Sequence, residues 1–306
     1  MKRFSSITTT QLARICGVSQ GTVDRALHDR AGIDPKTKER ILSIAREYEY
    51  VPSIIGKESK GRSMLIGVVL FDLYNEYFSK LAMSLTEKAR ADGYSVIFLF
   101  SNKDIKAEKS AIDYFSYIGV DGIVLFSVGS DSEEYKNYLH SIKKPIVTLG
   151  NRLFDLAYIG IDDMAAMYDL TCRMIVETEG EMQYFAPILK KPLHKKNAQH
   201  LRLSGFERAM REHRRAYRVV YEESELSERC AATVCSTDHY VLRALKRLGI
   251  TGAHRIAGFD NASAAFSLGI RVATVDYSTD AIAAECMSYF LRRKYNPKIP
   301  HSVLLG

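Results

Sequence analysis

The stretch Thr10-Gln11-Leu12-Ala13-Arg14-Ile15-Cys16-Gly17-Val18-Ser19-Gln20-Gly21-Thr22-Val23-Asp24-Arg25-Ala26-Leu27 divides at a glycine. Before it, polar residues from Thr8 can cap a helix that carries Leu12, Ala13 and Ile15 on one face. Gly17-Val18-Ser19 breaks that helix, and a second follows through Thr22, Val23, Arg25, Ala26 and Leu27. The pattern predicts two short helices meeting at a tight turn, with Val18, Val23 and Leu27 in their shared core. A third helix is predicted next. Asp34 stands where it can cap, and Pro35 suits the first helical position, where its missing N–H costs nothing. Ile41, Ile44, Ala45 and Tyr48 then recur at helical spacing, and Tyr50-Val51-Pro52 ends the helix because the residue before proline is driven out of helical geometry.

Charge is concentrated in the same region. Residues 1–63 carry 12 Lys and Arg against 7 Asp and Glu, so five of the net seven positive charges lie in about a fifth of the 306 residues. That asymmetry predicts a polyanionic partner for the N-terminal part, with a merely solvated surface as the alternative.

From Met64 onward short β-rich runs alternate with amphipathic helices, which predicts parallel βαβ units. Strands are expected at 65–70, 95–99, 122–126 and 145–149, with helices near 78–92, 105–118 and 131–143. A second series places strands near 182–186, 218–221, 232–235, 255–258 and 272–275. Two successive series imply two lobes and a cleft between them, and ligands of open α/β sheets bind outside the carboxyl ends of the strands.

The quoted stretch resembles the N-terminal motif of the LacI (lac repressor) family of bacterial regulators, through its Leu-Ala, Gly-Val-Ser, Thr-Val and Arg-x-Leu elements. The resemblance continues through Pro35-x-Thr37-x-x-Arg40-Ile41, Tyr50-Val51-Pro52, Ile66-Gly67-Val68, Val120-Asp121-Gly122-Ile123, Arg202-x-x-Gly205-Phe206 and Ala257-Gly258-Phe259-Asp260. It implies an all-α helix-turn-helix module followed by a two-lobed, periplasmic-binding-protein-like α/β body of parallel sheets. The implied divisions are residues 1–50 for the DNA-binding module and 51–63 for a hinge. Residues 64–160 with 276–296 form one lobe of the effector domain, 161–275 the other, and 297–306 a tail.

In such a motif the second helix enters the major groove with its N-terminal side chains on base edges. The resemblance therefore places Gln20, Gly21 and Arg25 toward the bases, Gln suiting adenine and Arg suiting guanine. Ser19 and Thr22 suit phosphates, and Arg14, Lys36 and Lys38 add charge along the backbone. Asp24 stands where relatives usually carry Ser, and either accepts from cytosine or orients Arg25. The hinge departs from the family: Ser59 falls at the position of the leucine wedge, Gly56 interrupts the helix, and the segment is one residue short. Ile54 or Ile55 then takes the wedge's place in the minor groove, or the segment stays a linker.

For the cleft, the resemblance points to the loop Asp72-Leu73-Tyr74-Asn75-Glu76-Tyr77-Phe78, and within it to Asp72, Tyr74, Tyr77 and Phe78. Sugars stack on aromatic faces and bond to planar polar side chains. Asn151 and Arg152 follow a strand at its carboxyl end, Arg202 and Asp260 match ligand-binding positions of the family, and Tyr277 lies on the returning crossover. Cys235-Ser236-Thr237-Asp238 departs from the family's Ala-Asn-Asp, leaving Asp238 to bind ligand or to cap the next helix. Lys196, in the basic run 190–196, would favour a phosphorylated or acidic effector.

The expected partners are double-stranded operator DNA, a sugar-like effector and a second copy of the chain in a homodimer that reads a pseudo-palindrome. A regulator controlled by a protein partner or by a non-sugar effector is the alternative. No phosphate loop, dinucleotide fingerprint or nucleophile elbow argues for an enzyme, and no cofactor is expected. The five cysteines show no C-x-x-C pair, so no metal is expected either. The longest apolar run, 64–71, is too short to cross a bilayer, and no secretion signal is read at the start, so a cytoplasmic protein without a membrane partner is expected.

Overall fold

In the computed structural model of the chain, residues 9–27, 30–48, 62–129, 131–190, 197–249, 255–262, 269 and 272–305 are described. The chain divides into two compact units after residue 61. The first contains α1 (Thr9–Cys16), α2 (Gln20–Leu27) and α3 (Pro35–Glu47). Gly17 closes α1 with a φ of 63°, a left-handed conformation that a residue without Cβ adopts without strain. Asp34 caps α3 by accepting from the Thr37 N–H, with Pro35 opening the helix as expected. Leu12, Val23 and Ile41, one from each helix, are fully buried together. The inner stripe of α1 is Leu12, Ala13 and Cys16, so Ile15, expected on that face, is exposed. Arg40 donates from α3 to the Cys16 carbonyl at 3.1 Å, satisfying an orphan acceptor at the end of α1 with a cation.

The second unit begins with β1 (Leu65–Leu70), α4 (Glu76–Ala91), β2 (Ser95–Phe100), α5 (Ile105–Ile118), β3 (Gly122–Phe126), α6 (Glu133–Ser141), β4 (Ile146–Leu149) and the short β5 (Ala157–Tyr158). These strands form one parallel sheet in the order β2-β1-β3-β4-β5, with Val68 of β1 opposite Phe98 on one side and Val124 on the other. The chain then makes α7 (Asp163–Glu177), β6 (Met182–Phe185), α8 (Ala198–Glu212), β7 (Tyr217–Val220), β8 (Ala232–Cys235), α9 (Asp238–Leu248) and β9 (Arg255–Ala257). Its second parallel sheet has the order β7-β6-β8-β9. Next come β10 (Thr274–Asp276), α10 (Thr279–Phe290), which packs on α4, and β11 (Ser302–Leu304), antiparallel to β10. The strand expected over 272–275 is thus shorter than read, with Ala273 making only a bridge to Ala257. Residues 297–306 contribute β11 and a bridge from Lys298 to Gly160.

Alternation along β1 explains the layers. Ile66, Val68 and Leu70 point to the α4 side, where Leu81 and Leu85 meet them. Val69 points to the other side, against Phe115 of α5 and Tyr135 of α6. The first of these clusters continues into the second sheet through Met182, Tyr184, Phe206 and Val234, so one apolar core underlies both lobes. Each fully buried aliphatic or aromatic side chain of this kind stabilises by about 1.5–3 kcal/mol.

Helices α7 and α8 pack along their lengths. Their close approach depends on Gly205, where an added Cβ would stand 2.3 Å from the Met164 carbonyl oxygen, a backbone atom with no easy retreat. Gly205→Ala should therefore push α8 off α7 and cost about 1–3 kcal/mol. A urea unfolding curve checks this, and an unchanged midpoint would show that the contact relaxes freely.

Candidate functional site

In each sheet the strand order reverses once, between β1 and β3 and between β6 and β8. At such a reversal the flanking connections leave in opposite directions and open a crevice at the carboxyl ends. A cavity of about 590 Å³ lies there, within the range of small-molecule sites. Phe71, Phe126 and Val128 line it from the ends of β1 and β3, and Ile188, Thr237 and Asp260 from the second sheet.

Arg202, on α8, is 6 % exposed and organises one wall. Its Nε donates to Asp163 Oδ1 at 2.8 Å and its Nη1 to the Ser236 carbonyl at 2.9 Å, with Asp260 Oδ1 3.3 Å from Nη1. The guanidinium also lies over the Phe259 ring, 3.6 Å from its centroid. Burial disfavours the cation, but Asp260 and Asp163 outweigh it and hold the Arg202 pKa above its ordinary value. The acids feel the reverse. Burial pushes Asp163 up to about 6 against the pull of Arg202, and raises Asp260 against Arg202, Tyr277 and Asn75.

Direct bonds join the two sheets around the cavity. The Tyr277 hydroxyl donates to Asp260 Oδ1 at 2.9 Å, the Asn75 side chain also bonds Asp260, and Lys80 Nζ donates to the Asn261 carbonyl at 2.7 Å. The Tyr77 and Tyr277 rings lie 5.3 Å apart. Asn151 donates to the Ser127 carbonyl at 2.8 Å and accepts from the Ala198 N–H at 3.1 Å, tying the end of β4 to the start of α8. Ser127 is itself anchored by the buried Glu108 carboxylate at 2.8 Å.

Of the cleft residues expected from sequence, Asp72, Tyr74, Tyr77, Phe78, Asn151, Arg202, Asp260 and Tyr277 come together on this lining. Tyr74 is 90 % exposed, at the rim. Two expected residues are placed elsewhere. Arg152 is exposed and off the lining, its guanidinium lying 4.6 Å from the ring centroid of Tyr158, which is on it. Asp238 faces into the protein, accepting from the Ala262 N–H at 2.7 Å and the Thr274 hydroxyl at 2.9 Å, and burial with the nearby Asp260 pushes it up to about 7. Lys196 lies outside the described residues. Asn75, Tyr158, Asp163 and Gln199 also line the cavity and were not singled out from sequence. The Oε1 of Gln199 is buried without a hydrogen-bond partner among the described residues.

On the helical unit, Ser19 accepts from the Thr22 N–H at 3.2 Å and so caps α2. Gln20, Gly21 and Arg25 are exposed, with the Gln20 amide donating to Thr10 Oγ1 at 2.5 Å. Asp24 pairs with Arg30 at 3.4 Å, which offsets part of its charge. Ile55 lies outside the described residues.

Two doubly wound lobes around a cleft are the build of the periplasmic binding proteins and sugar binding domain of the LacI family, whose family model matches residues 63–233. A second model, that of bacterial regulatory proteins of the lacI family, matches residues 9–53. The chain belongs to the LacI family. It is 29% identical over 174 residues to catabolite control protein A of Staphylococcus xylosus, covering 56% of this chain and 52% of that protein, so the match spans about half the length of that relative. It is 24% identical over 310 residues to the HTH-type transcriptional regulator RegA of Clostridium saccharobutylicum, covering 92% of each. Among solved structures, the lac repressor dimer bound to operator and the anti-inducer ONPF shares the fold with a TM-score of 0.64, at 17% identity and 98% coverage of both chains. Among the described residues no helix is long and apolar enough to cross a membrane.

Because Asp238 titrates near 7 when folded and near the ordinary 3.9, roughly, when unfolded, its contribution to stability is full below about pH 4 and is lost as pH rises through about 7. Asp238→Asn removes that dependence. Urea unfolding of both proteins at pH 5 and pH 8 should show the wild type gaining stability relative to the variant at pH 5; equal differences at the two pH values would contradict the assignment.

Proposed function

We propose that the chain is a sequence-specific, DNA-binding transcription repressor, acting as a cytoplasmic homodimer, whose operator affinity is set by a sugar or sugar derivative held around Arg202. The observation that carries this reading is the pairing, in one chain, of a helix pair exposing Gln20, Gly21 and Arg25 with a cavity built on a buried guanidinium. Arg25 takes guanine and Gln20 adenine, while Ser19 and Thr22 approach phosphates. Asp72, Tyr77, Phe78, Asn151, Arg202, Asp260 and Tyr277 hold the effector, and Tyr74 covers it from the rim. The likeness to a repressor solved as a dimer on operator supports the two-fold arrangement, in which two recognition helices read two half-sites.

The effector acts by population shift, binding one arrangement of the two lobes better than another. We read no catalytic role for the cleft, because its buried acids, Asp163 and Asp260, are both committed to Arg202.

An operator selected from random DNA by the purified chain gives the test. Arg25→Ala should weaken binding to that site by about tenfold or more, in line with the worth of one bidentate base contact, with little change toward random DNA. Parental affinity of the variant for the selected site, read by fluorescence anisotropy, would remove Arg25 from the reading set.

A further inference from the structure

We infer that Arg30, held against α2 by Asp24, is a further DNA-contacting residue and that it binds a backbone phosphate beside the bases read by Gln20 and Arg25. This rests on the reading of α2 as the helix that enters the major groove.

A carboxylate on the DNA side of such a helix is a liability, because it repels phosphates. Asp24 stands on that side. Val23 and Ala26 turn inward from α2, while Gln20, Gly21 and Arg25 are exposed. Asp24 follows Gln20 by four positions and Gly21 by three, so it lies one turn beyond them on the same flank. Its side chain is nevertheless only 15 % exposed, whereas that of Arg30, whose Nη1 lies 3.4 Å from Asp24 Oδ2, is 60 % exposed. The acid is therefore poorly presented to a cytosine. What this flank offers an approaching strand is the guanidinium paired with it.

Two bonds set the place of Arg30. Its backbone N–H donates to the Arg25 carbonyl at 3.0 Å, which closes the end of α2 and sets a cation at the negative end of the helix dipole. Its side chain then runs back along the helix to donate to Asp24. A guanidinium that gives an N–H to one carboxylate keeps further donors in the same plane, and the exposure of Arg30 makes them reachable. Asp24 thus orders a long side chain before DNA arrives, which lowers the entropy lost on binding.

Position along the helix selects phosphate over base. In helix-turn-helix docking the N-terminal residues of the second helix reach base edges, and here that end carries Gln20 and Gly21. The guanidinium of Arg30 lies a turn further on and to the flank, toward the groove wall where phosphates run. Contacts there position the protein and add affinity for any sequence.

Fluorescence anisotropy of the full chain on its selected operator and on random DNA, between about 50 and 200 mM salt, tests this. Arg30→Ala should weaken binding to both DNAs by a similar factor, about tenfold, and lower the slope of log affinity against log salt by about one. A pair that served only the fold would leave that slope where it was. Arg30→Lys should keep the parental slope, because the charge stays. A parental slope in Arg30→Ala would overturn the inference, and so would a loss confined to the selected operator, which belongs to a base contact. An exposed ion pair contributes little to stability, so these variants keep the fold.

Asp24→Asn tests the holding role through a double-mutant cycle. In the Arg30→Ala background it removes a carboxylate left bare toward the phosphates and should strengthen binding. In the parent, where it also releases Arg30, the gain should be smaller by about threefold or more. The same factor in both backgrounds would show that Asp24 does not position Arg30. If no operator is selected from random DNA, the reading of α2 as a recognition helix fails and the inference with it.

Discussion

Arg202 carries a full positive charge to a place where little of it meets water, and the surrounding architecture is the answer to that constraint. An unpaired guanidinium there would be untenable, so three separate parts of the second sheet's lobe converge on it: Asp163 from the start of α7, the Ser236 carbonyl from the end of β8, and Asp260 from beyond β9. Breaking such a pair by removing one partner typically costs about 3–5 kcal/mol, far more than the pair contributes over a well-packed apolar replacement. The arrangement is better explained by placement than by stability. It fixes the carboxyl ends of β8 and β9 against α7 and α8, and those ends form one wall of the cavity.

The same cluster reaches the other lobe. Asp260, held by Arg202, receives Tyr277 and Asn75, and Asn75 also caps α4. Any molecule that enters between these groups competes for bonds that join the two sheets. This gives ligand binding a physical route to the arrangement of the lobes, because a ligand shifts an equilibrium only by its differential contacts with the two states.

Much of this was legible in the sequence where local patterns decide the structure. The helical turn at Gly17, the cap at Asp34 and the buried run of β1 follow from spacing and residue type alone. Arg202 and Asp260 were legible because they sit in matched motifs, Arg202 within α8 and Asp260 beyond the end of β9. Asp163 was not, since an aspartate opening a helix reads as a cap; in fact the preceding Asp162 caps, accepting from the Ala165 N–H, which leaves Asp163 for Arg202. Asn151 and Arg152 show a second limit. Both follow β4, and sequence does not say which of two neighbours faces inward. Asp238 lies beside Thr237, which does line the cavity, yet it turns to Thr274, a partner 36 positions away that no local pattern announces. β5 and β11, with two and three residues, are too short to leave a periodic signal.

Control of operator affinity by a small molecule requires that occupation of the Arg202 cavity and operator binding be thermodynamically coupled. Linkage requires the coupling to be reciprocal, so the most direct measurement is the affinity of the bound sugar for the free chain and for the chain saturated with its selected operator. The two affinities should differ, by a factor on the order of 5–150, and operator affinity with and without sugar should differ by the same factor. Identical sugar affinities for the free and the DNA-bound chain would contradict it.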